Sequence, residues 1–128
     1  MSWFKKKKVD PDREEFKKQF ESVISSLNQG EKIARIAVGH SINMANSVFL
    51  KAHGSVEKFK NLPRVEQFGY LTKLTELESK MWEQDPMSSI GVGLFKMWLT
   101  TVMEGDTELN NQFSKELAVL SKVGDLPV

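Results

Sequence analysis

The middle of this chain contains a long segment without a charged residue. From Ile36 to Leu50 there is no Asp, Glu, Lys or Arg, although these four residue types make up 27% of the sequence. At 100° per residue, the apolar side chains of this segment cover well over half of a helix circumference. A helix with so wide an apolar surface needs neighbours, so we expect other helices of the domain to surround it.

A second segment, ending near Met103, has a similar composition, with Lys96 as its one charged residue. The remaining long segments place apolar residues at spacings of three and four, which is typical of amphipathic helices, and no strand-like alternation competes with this pattern. The predicted helices are Pro11 to about Asn28, Glu31 to Ala52, Pro63 to Gln84, Pro86 to Met103 and Glu108 to Lys122, with a short turn through Lys60 after Ser55. The sequence therefore predicts an all-α, compact single-domain bundle of about five helices, in which two central apolar helices are covered by amphipathic ones.

The helix boundaries are predicted from capping residues. Asp10-Pro11 and Asp85-Pro86 each place an Asp N-cap before a Pro at the first helical position, where the missing N–H costs nothing. Gly105-Asp106-Thr107 is expected to end one helix and cap the next. We therefore divide the chain into an N-terminal tail, residues 1–9, and a helical bundle, residues 10–128.

Composition narrows the class of protein. A length of 128 residues is typical of one domain with its own core. The absence of cysteine excludes disulfides, thiolate nucleophiles and Cys-based zinc sites, and it suits a reducing compartment. We therefore expect a cytoplasmic protein without a transmembrane segment, possessing neither a disulfide nor a lipid attached through cysteine.

The N-terminal tail combines two aromatic residues with a run of lysines. Without these lysines, 14 basic residues face 17 acidic ones, so the rest of the chain is acidic. Near an anionic membrane each lysine contributes at most about 1 kcal/mol, which gives an affinity of roughly millimolar order. The tail is thus a candidate for weak, reversible contact with a membrane surface or a protein, or it is an inert solvated leader. Nucleic acid is a poorer match, because four lysines beside an acidic body make a poor electrostatic footprint for it. The candidate contact residues are Trp3, Phe4, Lys5, Lys6, Lys7 and Lys8.

Polar residues on the two apolar helices form a candidate ligand seam. On the first apolar helix they project within about a quarter turn of one another, with His40 at the border of the apolar arc. A cleft between the two apolar helices would let them bind a small ligand or peptide, whereas ordinary helix packing explains the same pattern without a ligand. The seam residues are Arg35, His40, Asn43, Asn46, His53 and Lys96.

Residue patterns for catalysis and metal binding are missing. The two histidines lie 13 positions apart, no His-x-x-x-His or Glu-x-x-His pair occurs on a predicted helix, and no serine lies in a nucleophile elbow. We accordingly predict no catalytic residue, metal or cofactor. Six methionines, several close to Trp82 and Trp98, either fill the core or line an adaptable groove for a partner helix.

Three functional hypotheses follow. The first is a non-enzymatic helical bundle that binds another macromolecule, either a protein partner or a second copy of itself, with possible membrane contact through the tail. The second is a small-ligand binding or sensory bundle that uses the cleft between the two apolar helices. An enzyme is the third and least supported reading.

The tail hypothesis predicts a change in surface binding when residues 1–9 are removed. We expect the full chain to co-sediment weakly with anionic liposomes, with an affinity of roughly millimolar order that falls as salt is added, because the attraction is electrostatic. The truncated chain should lose this binding. Equal co-sedimentation and equal protein pull-down by both chains would refute a role for the tail.

Overall fold

Six α-helices account for nearly all of residues 11–125. The computed structural model describes residues 11–125, with side chains for residues 11–122. The helices are α1 (Pro11–Gln29), α2 (Lys32–His53), α3 (Val56–Lys60), α4 (Arg64–Gln84), α5 (Pro86–Glu104) and α6 (Thr107–Asp125). The all-α prediction is confirmed. The predicted turn after Ser55 is the short helix α3, capped by the Ser55 hydroxyl, which accepts a hydrogen bond from the Lys58 amide at 3.1 Å.

The start of α5 follows the predicted Asp-Pro pattern. Pro86 occupies the first turn, and the carboxylate of Asp85 accepts hydrogen bonds from the Ser88 hydroxyl at 2.6 Å and the Ser88 amide at 3.2 Å. These two bonds lower the pKa of Asp85 because they stabilise its charged form. The equivalent cap at Asp10 lies outside the described residues.

The junction of α5 and α6 also holds the start of α1. Gly105 adopts φ +68° and ends α5, and Asp106 then caps α6 by accepting a hydrogen bond from the Leu109 amide at 3.1 Å. The Arg13 guanidinium of α1 donates to Asp106 at 2.7 Å and to Glu108 at 2.7 Å. Hydrogen bonding to Asp106 raises the pKa of Arg13 further above its usual range. One buried carboxylate thereby joins three helices.

Helix α5 is the centre of the bundle. It packs against α2, α4 and α6, running parallel to α2 and antiparallel to the other two. Ser89 Oγ donates to the Glu78 carbonyl of α4 at 2.7 Å, and Arg64 donates to the Met103 carbonyl at 3.0 Å. These two contacts hold the ends of α4 against the opposite ends of α5, so the two helices are antiparallel. The two apolar helices are in contact, as predicted.

Two groups of buried side chains form the core. The first lies between α1, α2, α5 and α6, and the second between α2, α3, α4 and α5. The first comprises Phe20, Ile24, Leu27, Val38, Ile42, Leu94, Leu109, Phe113, Leu117 and Leu120. The second comprises Ala45, Phe49, Phe59, Leu74, Val92, Phe95, Leu99 and Val102.

The expectation that other helices surround the first apolar helix is wrong for one face of α2. Met44 is 55% exposed and Val48 is 56% exposed, and His40 and Ser47 on the same side are exposed as well. Helices α5 and α6 cover the opposite face only. The apolar arc of α2 is therefore wider than the surface that the other described helices cover.

Leu77 and Trp82 of α4, which the periodicity places on or beside its apolar stripe, are exposed rather than buried. Trp82 is 58% exposed and Leu77 is 44% exposed, while Leu74 is buried. α4 turns one face toward α5, and Leu77 and Trp82 lie at the two edges of that face. Trp82 therefore does not serve to fill the core, which was one of its two predicted roles.

The close crossing of α2 and α5 depends on a glycine. A Cβ at Gly91 would lie 2.6 Å from Ser41 Cβ and 2.8 Å from the Val38 carbonyl oxygen, both closer than real side chains allow. At the same crossing, Ser41 Oγ donates to the Ser88 carbonyl at 2.6 Å. Any larger residue at position 91 must push the two central helices apart.

We predict opposite effects for two glycine substitutions. Gly91→Ala should lower the free energy of unfolding by about 1–3 kcal/mol, because overpacking at a helix crossing forces backbone shifts. Gly69→Ala, in α4 with no heavy atom within 4 Å of the new Cβ, should raise it by about 0.5–1 kcal/mol through helix propensity. Urea denaturation of the two variants measures both. A neutral Gly91→Ala would show that the crossing is not tight.

Candidate binding surfaces

The aromatic and basic tail lies outside the described residues. Its predicted contacts, Trp3, Phe4, Lys5, Lys6, Lys7 and Lys8, therefore stay predictions. The described residues have surfaces and cavities of their own.

The predicted ligand seam does not form one site. Asn43 and Asn46 lie on the side of α2 that faces α6, whereas Lys96 lies on the side of α5 that faces α4. His40 is exposed on the outer face of α2. The expected cleft between the two apolar helices, lined by residues of both seams, is therefore absent from the described part of the chain.

Arg35 stabilises a helix end. Its guanidinium Nη1 donates to the Leu27 carbonyl at 3.1 Å and to the Gly30 carbonyl at 2.8 Å. The last carbonyls of a helix lack partners within the helix, and a cation near them also interacts favourably with the helix dipole. Arg35 thus fixes the end of α1 to the start of α2.

Lys96 belongs to the packing between α5 and α4. Its ammonium group donates to Glu78 at 2.6 Å and to the Thr75 hydroxyl at 3.2 Å. A Cβ at Gly93 would lie 2.7 Å from Glu78 Oε2, so the small residue makes room for this ion pair. Gly93 and Lys96 therefore both serve the contact of α5 with α4.

Asn43 and Asn46 line a small cavity of about 190 Å³ between α2, α5 and α6. Two of its polar side chains are already bonded within the cavity: Asn43 Nδ2 donates to the Ser121 carbonyl at 3.0 Å, and Trp98 Nε1 donates to Ser114 Oγ at 2.9 Å. Sites for small molecules usually enclose about 300–1,000 Å³ and leave polar groups for the ligand. The geometry therefore gives little support to a small-ligand site here.

His53 is held among aromatic rings. Its imidazole lies 4.6 Å from the Tyr70 ring, 5.0 Å from Phe59 and 5.2 Å from Phe49, measured between centroids. Its Nε2 is buried and has no hydrogen-bond partner among the described residues. Burial lowers the pKa of His53, and Lys73 lowers it further, while Glu66 acts in the opposite direction. The neutral imidazole is thus part of the aromatic packing that fixes α3 and α4 to the end of α2.

A groove lies along α5 between α1 and α4. We call it the α1–α4 groove. It contains a cavity of about 350 Å³. The cavity is lined by Phe16, Gln19, Val23, Glu78, Ile90, Gly93, Leu94, Lys96 and Met97. Its floor is the face of α5 that carries Ile90 and Met97, both only partly buried.

The edge of α4 on the groove side, which we call the α4 wall, carries two exposed aromatic residues outside the cavity lining. Phe68, Thr75 and Trp82 are seven residues apart and so lie along one edge of the helix. Thr75 accepts the hydrogen bond from Lys96 and thus places this edge beside the groove. Phe68 is 51% exposed and Trp82 is 58% exposed, one on each side of Thr75.

Of the six methionines, Met97 lines the cavity of the α1–α4 groove, and a Met-lined groove for a partner helix stays a prediction. Phe68 and Trp82 of the α4 wall were not predicted from the sequence as candidate site residues. The seven-residue spacing of Phe68, Thr75 and Trp82 was the available signal, but it identifies a line on α4 and not the neighbour that this line faces.

The described residues contain no group of three His, Asp or Glu side chains able to hold a metal ion. No helix within residues 11–125 has the length and hydropathy needed to span a bilayer.

Comparisons with protein-family models, curated proteins and solved structures find no match to this chain. The functional conclusion therefore depends on the surfaces described above.

The environment of His53 predicts a pH-dependent stability. Because its pKa in the folded chain is lowered from an ordinary value near 6.5, the unfolded chain binds more protons as the pH falls below about 6.5. The free energy of unfolding should therefore decrease over that range in the wild type and less in His53→Gln. Urea denaturation between pH 8 and pH 5 measures this difference. An NMR titration placing the pKa of His53 at or above 6.5 would contradict the prediction.

Proposed function

We propose that this protein is a non-enzymatic interaction protein and that it binds a helical segment of a partner protein in the α1–α4 groove. The observation that carries the proposal is the open side of α5. Ile90 and Met97 remain partly exposed there, while two aromatic residues, Phe68 and Trp82, extend the apolar surface along the groove.

The composition of the groove supports protein binding. The centres of protein interfaces are enriched in aromatic residues and Met, and exposed Trp side chains frequently carry much of the binding energy. A flexible Met on the floor adapts to different side chains. Grooves of this kind bind amphipathic helices, which lay their apolar face between the walls.

Self-association, contact through the tail and a cytoplasmic location, which belong to the first functional hypothesis, extend this proposal. A second copy of the chain is the alternative partner, and the outer face of α2, with exposed Met44 and Val48, is the surface that favours it. The tail would add a weak reversible contact with an anionic membrane or protein. A cytoplasmic location is also proposed, because a chain without cysteine suits a reducing compartment.

Site-specific photo-cross-linking in the native cell tests the groove. The photoreactive amino acid p-benzoylphenylalanine replaces Phe68 or Trp82 in two variants and Val119 in a control. Val119 is 63% exposed and lies on α6, which contributes no residue to the groove. We expect the same protein adduct from the two groove positions and not from the control.

A further substitution tests whether the adduct needs the groove floor. Met97→Glu should remove the adduct at position 82, because a charge on an apolar floor must be desolvated when the partner binds. Thermal unfolding checks that this variant is folded. Equal cross-linking from position 119, or no adduct from either groove position, would reject the proposal. An adduct with the mass of two copies would assign self-association instead.

A further inference from the structure

We infer that the outer face of α2 binds a second copy of this chain, in a two-fold symmetric dimer whose two α2 helices lie antiparallel. The inference rests on the self-association part of the proposed function, and it adds the direction and register of the pair. The α1–α4 groove is lined by residues of α1, α4 and α5. The dimer and the groove can therefore be tested separately.

Six residues follow one line along the outer face of α2. They are spaced four and three residues apart in turn, which is the spacing at which two helices pack side by side. From its first to its last residue the line is about 27 Å long. Its members are Ile33, Ala37, His40, Met44, Ser47 and Lys51. Ala37 is partly buried and the others are exposed, so the line is open to a neighbouring helix.

The outer face is uncharged over its central part. No Asp, Glu, Lys or Arg occurs between Ile36 and Leu50, a length of about four helical turns. Across a two-fold axis a surface patch meets its own copy, so a charge near the axis would meet its own kind. Interfaces with a different protein gain specificity from opposite charges, and this part of the face provides none. The absence of charge therefore favours a second copy as the occupant.

The charge at the end of the line sets the direction of the pair. In a parallel pair, Lys51 would lie beside Lys51 of the second copy, and the like charges would repel each other. In an antiparallel pair, it lies beside Ile33 of the second copy, a residue that is 72% exposed. The Lys51 stem then covers the Ile33 side chain while the ammonium group stays in water. This contact, which the symmetry makes twice, favours the antiparallel direction.

The antiparallel register also brings together side chains of fitting size. When Met44 lies opposite His40 of the second copy, Ala37 lies opposite Ser47. These two small residues allow a close approach, because the distance between helix axes depends on the side chains at the contact. Met44, which is 55% exposed, packs its thioether against the His40 imidazole, a favourable contact between sulfur and an aromatic ring. The centre of the pair is thus filled without a charge.

The area of this contact predicts a weak dimer. A helix about 10 Å wide covers roughly 300 Å² along such a line, whereas a standard stable interface buries about 800 Å² on each partner. We therefore expect the chain to be monomeric when dilute and to pair with a dissociation constant roughly in the high micromolar range.

Sedimentation equilibrium of the full-length chain over a range of concentrations measures the dimer. Met44→Glu should raise the dissociation constant at least about tenfold, because the symmetry places two unpaired carboxylates near the axis of an apolar contact. Val119→Glu is the matched control, since Val119 is 63% exposed and lies on α6. It should leave the dissociation constant unchanged. Thermal unfolding checks that both variants are folded.

Cross-linking tests the direction and register. The chain contains no cysteine, so a single introduced thiol can be joined only to a second copy. Chains that carry Ile33→Cys or Lys51→Cys are mixed in equal amounts, with one of them isotope-labelled, and treated with a short bismaleimide. We expect nearly all of the cross-linked product to join position 33 to position 51. Random encounter would make this mixed product only half of the total.

Four results would overturn the α2 dimer. A chain that stays monomeric up to millimolar concentration would exclude it, and so would a dimer that Val119→Glu weakens as much as Met44→Glu does. Cross-links mainly between identical positions would show a parallel pair. A dimer that is lost in full-length Trp3→Ala, Phe4→Ala but kept in Met44→Glu would assign the contact to the tail. Each of these results leaves the groove proposal standing, because the groove partner is detected at positions 68 and 82.

Discussion

The burial of α5 is the constraint on which the rest of this structure depends. Its side chains are apolar on nearly every side, so it needs neighbours around most of its circumference. α2 approaches closely because Gly91 carries no Cβ, and α4 approaches at Gly93 and Ser89. These contacts, together with α6 and α1, still leave one side of α5 open. The groove is that remaining side.

Polar contacts at both ends of α1 give this groove a defined wall. Arg13 fixes the start of α1 to Asp106, and Arg35 binds the carbonyls at its end. Between these ends, the Phe20 ring stacks on Phe113 with centroids 3.7 Å apart. Because the wall is already ordered, a partner bound at the proposed site would not pay the full cost of ordering it.

The polar residues that suggested a ligand site mostly stabilise packing. Lys96 pairs with Glu78, Arg35 caps a helix, and His53 is enclosed by aromatic rings. The helices that carry these residues were predicted, but their partners lie on neighbouring helices or in the loop between two helices, and no periodic pattern identifies such partners. The aromatic wall at Phe68 and Trp82 was missed for the same reason, since which edge of α4 faces a groove depends on where α1 lies.

The sequence by itself determined the helices and their ends. Periodicity and local caps such as Asp85-Pro86 and Ser55 act over a few residues, so they can be read without knowing the fold. Only the tertiary structure decided which apolar faces remain exposed. Burial depends on how many neighbours surround a helix and at which angle they cross, and close approaches such as Gly91 against Ser41 set those angles. For that reason the sequence predicted a fully surrounded α2, while the structure leaves Met44 and Val48 in solvent and opens a groove beside α5.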